Sequence, residues 1–178
     1  GDVVVVVMLW FFCFYLSYVR VFFVLRLFFA NFAILMDITI ISPITYVAAH
    51  YEAVCRLMRQ LTVRNIVLTE QEYAQMVEAP SNRLFLLLCE ERVVGMLTVG
   101  MYASPTGTKA WIEDVVVDNA YRGQGLGRML VAEAIEQARG WGAQTLMLTS
   151  NPKRIAANAL YRSLGFEPKE TNVYRMVL

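Results

Sequence analysis

The sequence predicts an α/β protein in which one mixed β-sheet is flanked by helices. Three observations support this prediction. After residue 35, strand-like and helix-like patterns follow one another in the order β, α, α, β, β, β, α, β, α, β. A tight hairpin in the first half implies antiparallel strands. Strand–helix–strand crossovers in the second half imply parallel strands around a glycine-rich turn.

The first elements lie between residues 36 and 80. The stretch "DITII" at residues 37–41 favours a short strand, and Ser42-Pro43 opens a predicted helix. The apolar residues of this helix recur at spacings of three and four: Val47, Tyr51, Val54, Leu57, Met58 and Leu61. The pattern T-x-x-E at residues 69–72 is a capping box, which predicts a second, shorter helix ending at residues 79–80.

The middle of the chain favours strands. "RLFLLLCEERVVGMLTVGMY", residues 83–102, predicts two strands joined by a tight turn at residues 90–92, and hence a hairpin. "ASPTGTK", residues 103–109, has the composition of a loop. "AWIEDVVVD", residues 110–118, predicts the next strand, which leads directly into the glycine-rich turn.

The remaining elements alternate between helix and strand. An amphipathic pattern predicts a helix from Gly125 to about Arg139, ended by further glycines. "TLMLT", residues 145–149, predicts a strand. Asn151-Pro152 supplies a predicted N-cap and first-turn proline for a helix that runs to Leu164. "TNVYRMVL", residues 171–178, predicts a closing strand.

Residues 1–35 differ in composition from the rest of the chain. They are almost entirely apolar, and Asp2, Arg20 and Arg26 are their charged residues. Three interpretations stay open: a non-native extension encoded by T-rich DNA, a membrane anchor of sufficient length, or an integral part of the fold. We interpret residues 1–35 as an extension of the first or second kind, and residues 36–178 as one folded domain.

Composition excludes several classes of protein. The formal net charge is +1 and the basic residues are scattered, which disfavours nucleic-acid binding. Cys13, Cys55 and Cys89 lack the spacing of a metal site, and His50 is the single histidine, so we expect no metal. Reduced cysteines are typical of intracellular proteins, and we expect a cytoplasmic location.

The stretch "DNAYRGQGLGRML", residues 118–130, contains three glycines between a predicted strand and a predicted helix. A helix N-terminus presents unpaired N–H groups that attract phosphate, and glycines allow close approach of the backbone. A P-loop would require Lys-Ser/Thr, which is missing, and the dinucleotide fingerprint fails because Arg128 replaces its last glycine. The pattern Arg/Gln-x-x-Gly-x-Gly/Ala is satisfied by Arg122, Gly125 and Gly127.

With these motifs in this order, residues 36–178 resemble the GNAT superfamily of acetyl-coenzyme A-dependent N-acetyltransferases. "WIEDVVVDNAYRGQGLG" resembles the family's central strand and pyrophosphate loop, and "LMLTSN" resembles the strand that splays away from it. "AANALYRSLGF" resembles the end of the family's A-x-x-L-Y-x-x-x-G-F helix. "IEDVVVD" is also similar to glucosamine-6-phosphate acetyltransferases, although one strand motif does not assign that substrate.

The resemblance implies an acetyl-CoA site. Pantetheine would pair with the main chain of Val115, Val116 and Val117 in the gap between the splayed strands. The pyrophosphate would lie on the backbone amides of Arg122, Gly123, Gln124, Gly125, Leu126, Gly127 and Arg128. Many members have an asparagine seven residues before the tyrosine, where this chain has Arg154. Asn151 and Asn158 are the available substitutes as cofactor contacts.

The resemblance also suggests catalytic residues. Tyr161 occupies the usual general-acid position near the sulfur, and its alternative role is to pack the core. The Val115 amide would hold the carbonyl oxygen. Regular strand alternation places Glu113 on one face with Trp111, Val115 and Val117, and a carboxylate within an apolar strand is costly without a function or a partner. Glu113 is therefore the candidate base; Asp114, or neither residue, is the alternative.

The predicted function is transfer of an acetyl group to a primary amine by direct attack in a ternary complex. Two alternatives remain: a non-catalytic coenzyme A-binding module, and a membrane-tethered enzyme if residues 1–35 are native. The acceptor is a small-molecule amine or a protein amino group. Candidate acceptor-site residues are Glu52, Glu70, Glu72, Glu78, Tyr102 and Trp111, which solvated helix faces or core packing would also explain. A homodimer is a further expectation.

Overall fold

The computed structural model describes residues 37–62 and 66–177. The predicted extension at residues 1–35 lies outside the described residues, as do Met36 and Leu178. Five strands are described: β1 (Ile38–Ile41), β2 (Asn82–Cys89), β3 (Arg92–Ser104), β4 (Gly107–Val117) and β5 (Thr145–Leu148). The described helices are α1 (Ala48–Leu61), α2 (Glu70–Glu78), α3 (Leu126–Gly140) and α4 (Ile155–Ser163).

The strands form one mixed sheet in the order β1-β2-β3-β4-β5. The β1–β2, β2–β3 and β3–β4 ladders are antiparallel, whereas β4 and β5 are parallel. The helix α3 connects the two parallel strands, as expected for a crossover connection. The predicted fold class and the change from antiparallel to parallel pairing are therefore confirmed.

Helices cover both faces of the sheet. On one face, α1 and α2 contribute Val54, Leu57, Tyr73 and Val77 to a cluster that also contains buried residues of β2, β3 and β4, namely Leu84, Leu86, Val93, Met96 and Val116. On the other face, α3 buries Leu126, Leu130, Val131, Ala134 and Ala138. A Cβ atom on Gly95 of β3 would lie 3.0 Å from the Leu130 side chain, so α3 packs tightly against the centre of the sheet.

Local sequence signals set several boundaries as predicted. The Thr69 hydroxyl accepts a hydrogen bond from the Glu72 amide at 3.2 Å, and the Glu72 carboxylate accepts one from the Thr69 amide at 2.8 Å, completing the capping box before α2. The β2–β3 hairpin turns at Glu90 and Glu91, whose φ values of 50° and 66° are those of a two-residue turn matched to the strand twist.

Two helices begin later than predicted. The helix α1 starts at Ala48, because Val47 is extended with φ of −135° and ψ of 120°. The helix α4 starts at Ile155, because Asn151 closes a separate turn. Its side-chain oxygen accepts a hydrogen bond from the Lys153 amide, and its carbonyl accepts one from the Arg154 amide, each at 2.9 Å. Asn151-Pro152 therefore forms a turn of its own before the helix.

Two predictions for the remaining segments are wrong. The predicted loop at 103–109 is mostly strand, because Ala103 pairs with Thr108 and Ser104 with Gly107 at the tip of the β3–β4 hairpin. The predicted closing strand does not form over residues 171–177. Val173, Tyr174, Met176 and Val177 are all exposed, by 72% or more, so alternation in this segment buries neither face.

Candidate active site

The two parallel strands separate partway along their length. Pairing between β4 and β5 begins at Lys109 and Thr145 and ends at Ile112 and Leu148. Beyond that point β4 continues for five residues, 113–117, with β3 as its described strand neighbour. Asp118 donates its amide to the Val94 carbonyl at 2.8 Å, so by ladder alternation the main chain of Val117 faces the opposite, open edge. Part of the predicted pantetheine segment thus borders an open cleft.

A β-bulge lies where the strands separate. Glu113 pairs with Thr98 and Val116 pairs with Met96, so that Asp114 and Val115 both lie opposite the single residue Leu97. Asp114 has φ of 53°, in the left-handed region that few residues other than glycine adopt. A bulge bends the strand and increases its local twist. We attribute the separation of β4 from β5 to this extra residue.

The bulge corrects the predicted alternation of side chains. Cross-strand partners share a face, so Glu113 lies on the face of Thr98 and Val116, not on that of Val117. Val116 belongs to the core cluster under α1 and α2. The candidate base is therefore on the sheet face that these two helices cover, and its side chain is exposed. The alternation rule could not predict the face of Glu113 relative to Val117, because it assumes that each residue of one strand lies opposite one residue of the next.

Both carboxyl groups at the bulge are perturbed. Although the Glu113 side chain is accessible to solvent, the protein atoms around its carboxyl group partly desolvate it. This desolvation, followed by the neighbouring charge of Asp114, raises the pKa of Glu113 above its usual range. Partial burial also raises the pKa of Asp114. A raised carboxyl pKa makes the ionised form a stronger base, which is the property needed to accept a proton from an ammonium group.

The glycine turn has the geometry of an anion site. Gly123 and Gly125 both have φ of 79°, and a Cβ atom on either would meet no other protein atom within 4 Å. Gly125 is the N-cap of α3. The first amides of a helix have no intrahelical acceptor, and they carry the positive end of the helix dipole. The turn therefore has both hydrogen-bond donors for an anion and the space for the anion to approach them.

Three predicted members of the turn already make contacts within the protein. The Arg128 amide donates to the Gly125 carbonyl at 2.9 Å, so that amide is used by the helix itself. The Arg122 side chain donates through Nε to the Val117 carbonyl at 3.1 Å. Leu126 is only 1% exposed, so its side chain is a core residue. Gly123, Gln124 and Gly125 are exposed residues of the turn.

A partly buried ion pair, which no sequence pattern signals, anchors the start of the turn. Asp118 is 6% exposed and forms an ion pair with Arg56 of α1. It also accepts a hydrogen bond from the Ala120 amide at 3.2 Å. Burial acts to raise the pKa of Asp118, but the Ala120 amide and the Arg56 guanidinium outweigh it and hold that pKa below its usual range. Arg56 and Asp118 are 62 residues apart in the chain, so no local pattern signals the pair.

Tyr161 is the buried residue of α4. Its ring packs edge-on against Phe166, with centroids 6.1 Å apart. Burial raises the pKa of Tyr161, and the nearby charge of Arg154 acts to lower it. The phenol is therefore protonated at neutral pH and can donate a proton. The helix is joined to the glycine turn by Arg128, which donates to the Ser163 hydroxyl at 2.7 Å.

The polar residues around α4 have structural contacts of their own. The Asn158 side-chain nitrogen donates to the carbonyls of Asn151 and Arg154, at 2.9 Å each. The structure thus brings the two candidate asparagines together, and it uses the amide nitrogen of Asn158 to fix the turn. Arg154 donates to the Leu61 carbonyl at the end of α1, at 3.3 Å.

Of the six candidate acceptor-site residues, Glu52 and Glu78 are exposed on α1 and α2, and the other four make contacts of two kinds. Glu72 is part of the capping box, and Glu70 accepts a hydrogen bond from the Tyr46 hydroxyl at 2.9 Å, so both have structural contacts. Trp111 and Tyr102 lie on the hairpin of β3 and β4, where the indole nitrogen is 3.4 Å from the Tyr102 hydroxyl. Tyr102 is 45% exposed.

The part of the chain that the structure describes contains neither a cluster of metal ligands nor a membrane-spanning helix. No group of three histidine, cysteine or acidic residues there could hold a metal ion. No helix within residues 37–62 and 66–177 has the length and apolar character needed to cross a bilayer.

Splayed parallel strands, an open glycine turn at a helix N-terminus and a helix with a buried tyrosine define the acyltransferase class that the resemblance predicts. Comparison with known proteins agrees. The model of the acetyltransferase (GNAT) family matches residues 51–166, which is more than half of the chain. The protein belongs to the GNAT acetyltransferase family.

Matches with individual relatives cover less of the chain than the family model does. A glucosamine 6-phosphate N-acetyltransferase of Trypanosoma brucei brucei is 42% identical over 59 residues, which are 33% of this chain and 38% of that protein. The ribosomal protein bS18-alanine N-acetyltransferase of Escherichia coli K12 is 41% identical over 58 residues, 33% of this chain and 39% of that protein. The matches therefore span well under half the length of these relatives.

Solved structures match over a longer range. A Trypanosoma brucei acetyltransferase superposes with a TM-score of 0.66 at 25% identity, over 79% of this chain and 100% of that one. The predicted family and fold are therefore confirmed.

Proposed function

We propose that this protein transfers the acetyl group of acetyl-CoA to a primary amine, by direct attack of the amine while both substrates are bound. One observation carries the proposal: β4 and β5 separate after Ile112 and Leu148, next to a turn whose glycines leave open space above exposed backbone. Acetyl-CoA supplies an activated acetyl group as a thioester. The base, the acid and the hydrogen-bond donor to the carbonyl oxygen are proposed to be groups of this chain.

The residues present fit the coenzyme. The turn of Gly123, Gln124 and Gly125 would hold the pyrophosphate, because its amides are exposed and a ligand oxygen can approach without meeting a Cβ. The open edge of β4 at Val115 and Val117 would pair with the amides of the pantetheine arm. The Arg122 side chain donates to the Val117 carbonyl, so it would have to release that carbonyl for pantetheine to pair with it.

Glu113 is the proposed base. An amine is a nucleophile only when neutral, and Glu113 would accept its proton, directly or through water. The raised pKa of Glu113 suits this role, and its exposed side chain is open to an acceptor on the α1 and α2 face. Asp114 is the second candidate because it shares the bulge and also has a raised pKa.

Tyr161 is the proposed acid. As the carbon–sulfur bond breaks, its phenol would donate a proton to the departing thiolate, and the Val115 amide would donate a hydrogen bond to the carbonyl oxygen. The phenol stays protonated across the physiological range because burial raises its pKa. The Phe166 ring holds the tyrosine ring in one orientation.

The acceptor is proposed only as a class. Relatives are named for acetylating glucosamine 6-phosphate and an alanine of ribosomal protein bS18, so both small-molecule and protein amines belong in the test. We further propose a cytoplasmic location, which the free thiols of Cys55 and Cys89 support.

A panel of amines assayed with acetyl-CoA tests the proposal. The panel contains amino sugars, aminoglycosides, amino acids, polyamines and short peptides with free N-termini. Release of free coenzyme A thiol that depends on the amine is the expected result for at least one class. Binding of coenzyme A without amine-dependent thiol release from any class would instead indicate a non-catalytic coenzyme A-binding module.

A further inference from the structure

The last turns of α1 contact both sides of the cleft. On one side, Arg56 and Gln60 reach the end of β4. On the other side, the Leu61 carbonyl accepts a hydrogen bond from Arg154, the residue that precedes α4. We call Arg56, Gln60 and Leu61 the α1 bracket.

The β4 side of the bracket is bonded at several points, and its Arg56–Asp118 pair is partly buried. The Arg56 guanidinium pairs with Asp118 and also donates to the Val93 carbonyl at 2.7 Å, so one side chain fixes the start of β3 and the end of β4. One turn later, the Gln60 side-chain oxygen accepts a hydrogen bond from the Asn119 amide at 2.9 Å. The residues just before the glycine turn are therefore held by α1 as well as by the sheet.

The α4 side of the bracket is exposed, and it consists of the positive charge of Arg154 at the C-terminal end of α1. The carbonyls at the end of a helix carry the negative end of its dipole, which favours a cation such as Arg154. The Arg154 carbonyl in turn accepts hydrogen bonds from the Asn158 amide and the Asn158 side chain, at 2.9 Å each. The start of the helix that carries Tyr161 is thus fixed relative to α1.

These contacts explain why an arginine at position 154 is useful. Sheet pairing holds β4 and β5 together only as far as Ile112 and Leu148, so the far end of the cleft has to be held by other contacts. A ligand that binds between two loosely held walls must also pay the entropy of ordering them. Arg56 and Gln60 bond the β4 wall just before the glycine turn, and the Leu61 carbonyl accepts a hydrogen bond from Arg154 of the α4 wall, so α1 joins the two walls.

We propose that Arg56, Gln60 and Arg154 are positioning residues that set the separation between the end of β4 and the start of α4, and thereby the affinity for acetyl-CoA. The proposal rests on the proposed function, because it assigns the cleft to acetyl-CoA. Beyond the proposed function, we infer that the affinity for acetyl-CoA depends on Arg56 and Gln60 of α1 and on Arg154. Many members of the family have an asparagine at the position of Arg154.

The test uses the full chain and variants that spare the core. Arg154→Met and Gln60→Met each remove one contact, and the double variant removes both. Arg154→Lys keeps a cation that can reach the Leu61 carbonyl. Arg59→Met is the matched control, because Arg59 is an exposed cation in the last turn of the same helix. Calorimetry with coenzyme A gives Kd, and kinetics with an amine that the wild type acetylates give KM and kcat.

We expect Kd for coenzyme A and KM for acetyl-CoA to rise about threefold in each single variant and about tenfold in the double variant. The kcat at saturation should stay within twofold, and Arg154→Lys should recover most of the affinity. A merely structural role would lower the active fraction and Tm but leave KM unchanged. That result, or equal affinity in the wild type and the double variant, overturns this proposal alone. Failure of the wild type to bind coenzyme A overturns the proposed function and this proposal with it.

Discussion

The two sides of the candidate cleft, β4 on one and α4 on the other, are held in place by different kinds of contact. On β4, Ala110, Ile112 and Val116 are buried in the sheet core, and Asp118 at its end is buried in an ion pair. On α4, Tyr161 is the buried residue, and most of the other polar contacts are exposed. The β4 side is thus fixed by burial, whereas the α4 side depends on one aromatic ring and on hydrogen bonds at the surface.

This difference corresponds to two roles within the candidate site, cofactor binding and proton donation. The firmly held side presents backbone, at Val117 and in the glycine turn, where fixed geometry determines binding. The loosely held side presents a side chain, Tyr161, which has to pack as well as to donate a proton. A substitution in the glycine turn, which presents backbone, should therefore change affinity, and loss of the Tyr161 hydroxyl should change turnover.

The largest expected effect is at Tyr161. Tyr161→Phe keeps the ring that packs against Phe166 and removes the hydroxyl, so kcat should fall by roughly 10²-fold or more, with KM for acetyl-CoA little changed. Steady-state kinetics under conditions where chemistry limits turnover provide the measurement. Tyr174→Phe is the control, because Tyr174 is 88% exposed. An unchanged kcat would leave Tyr161 with a packing role only.

Glu113→Gln should have the next largest effect. We expect kcat to fall by about 10²-fold at pH 7, and the deficit to shrink at higher pH as more of the amine is neutral in solution. In the wild type, activity should rise with pH through the Glu113 pKa, and this rise should lie above the range of an ordinary glutamate because that pKa is raised.

The matched control for this prediction is Asp114→Asn, which should change kcat much less. A raised folded-state pKa means that the ionised carboxylate opposes folding at neutral pH, so Glu113→Gln should leave Tm equal or higher. If Asp114→Asn abolishes turnover and Glu113→Gln does not, then the base is Asp114.

On the β4 side, Gly125→Val should weaken coenzyme A binding by at least tenfold, or about 1.4 kcal/mol. The branched side chain would occupy the open space above the turn and would disfavour the φ of 79°. Gly142→Val is a matched control, because Gly142 has φ of 71° and equally open surroundings but lies after the far end of α3. Unchanged affinity in a folded Gly125→Val protein would refute the pyrophosphate assignment.

The smallest expected effect is that of removing residues 1–35. Ile38–Leu178 forms a compact unit, and the sheet and both helical layers come from it. A chain beginning at Met36 should therefore fold and bind coenzyme A with Kd within twofold of the full chain, as measured by calorimetry. Aggregation of the shorter chain, while the full chain folds, would show that the apolar segment belongs to the core.

The same contrast shows how far the sequence is informative. The capping box at Thr69–Glu72, the hairpin turn at Glu90-Glu91 and the glycine turn depend on residues close together in the chain, and all three are readable from short patterns. The Arg56–Asp118 pair depends on packing across 62 residues. The bulge at Asp114 depends on the register with β3, which no pattern within β4 reveals.

The closing strand fails for a related reason. Residues 171–177 have apolar residues in a strand-like pattern, but a strand also requires a partner edge and a face to bury. The structure provides neither for this segment, since its apolar side chains are exposed. Composition alone therefore predicted more sheet than the described chain contains.

The bulge also has an evolutionary consequence. Because Asp114 and Val115 share one position opposite Leu97, deleting a single codon here would restore one-to-one pairing between β3 and β4. The strand would then lose the bend to which we attribute its separation from β5. Related genes can therefore be compared by the number of residues between the positions of Glu113 and Val116. Two residues indicate that the bulge is kept, and one residue indicates that it has been lost.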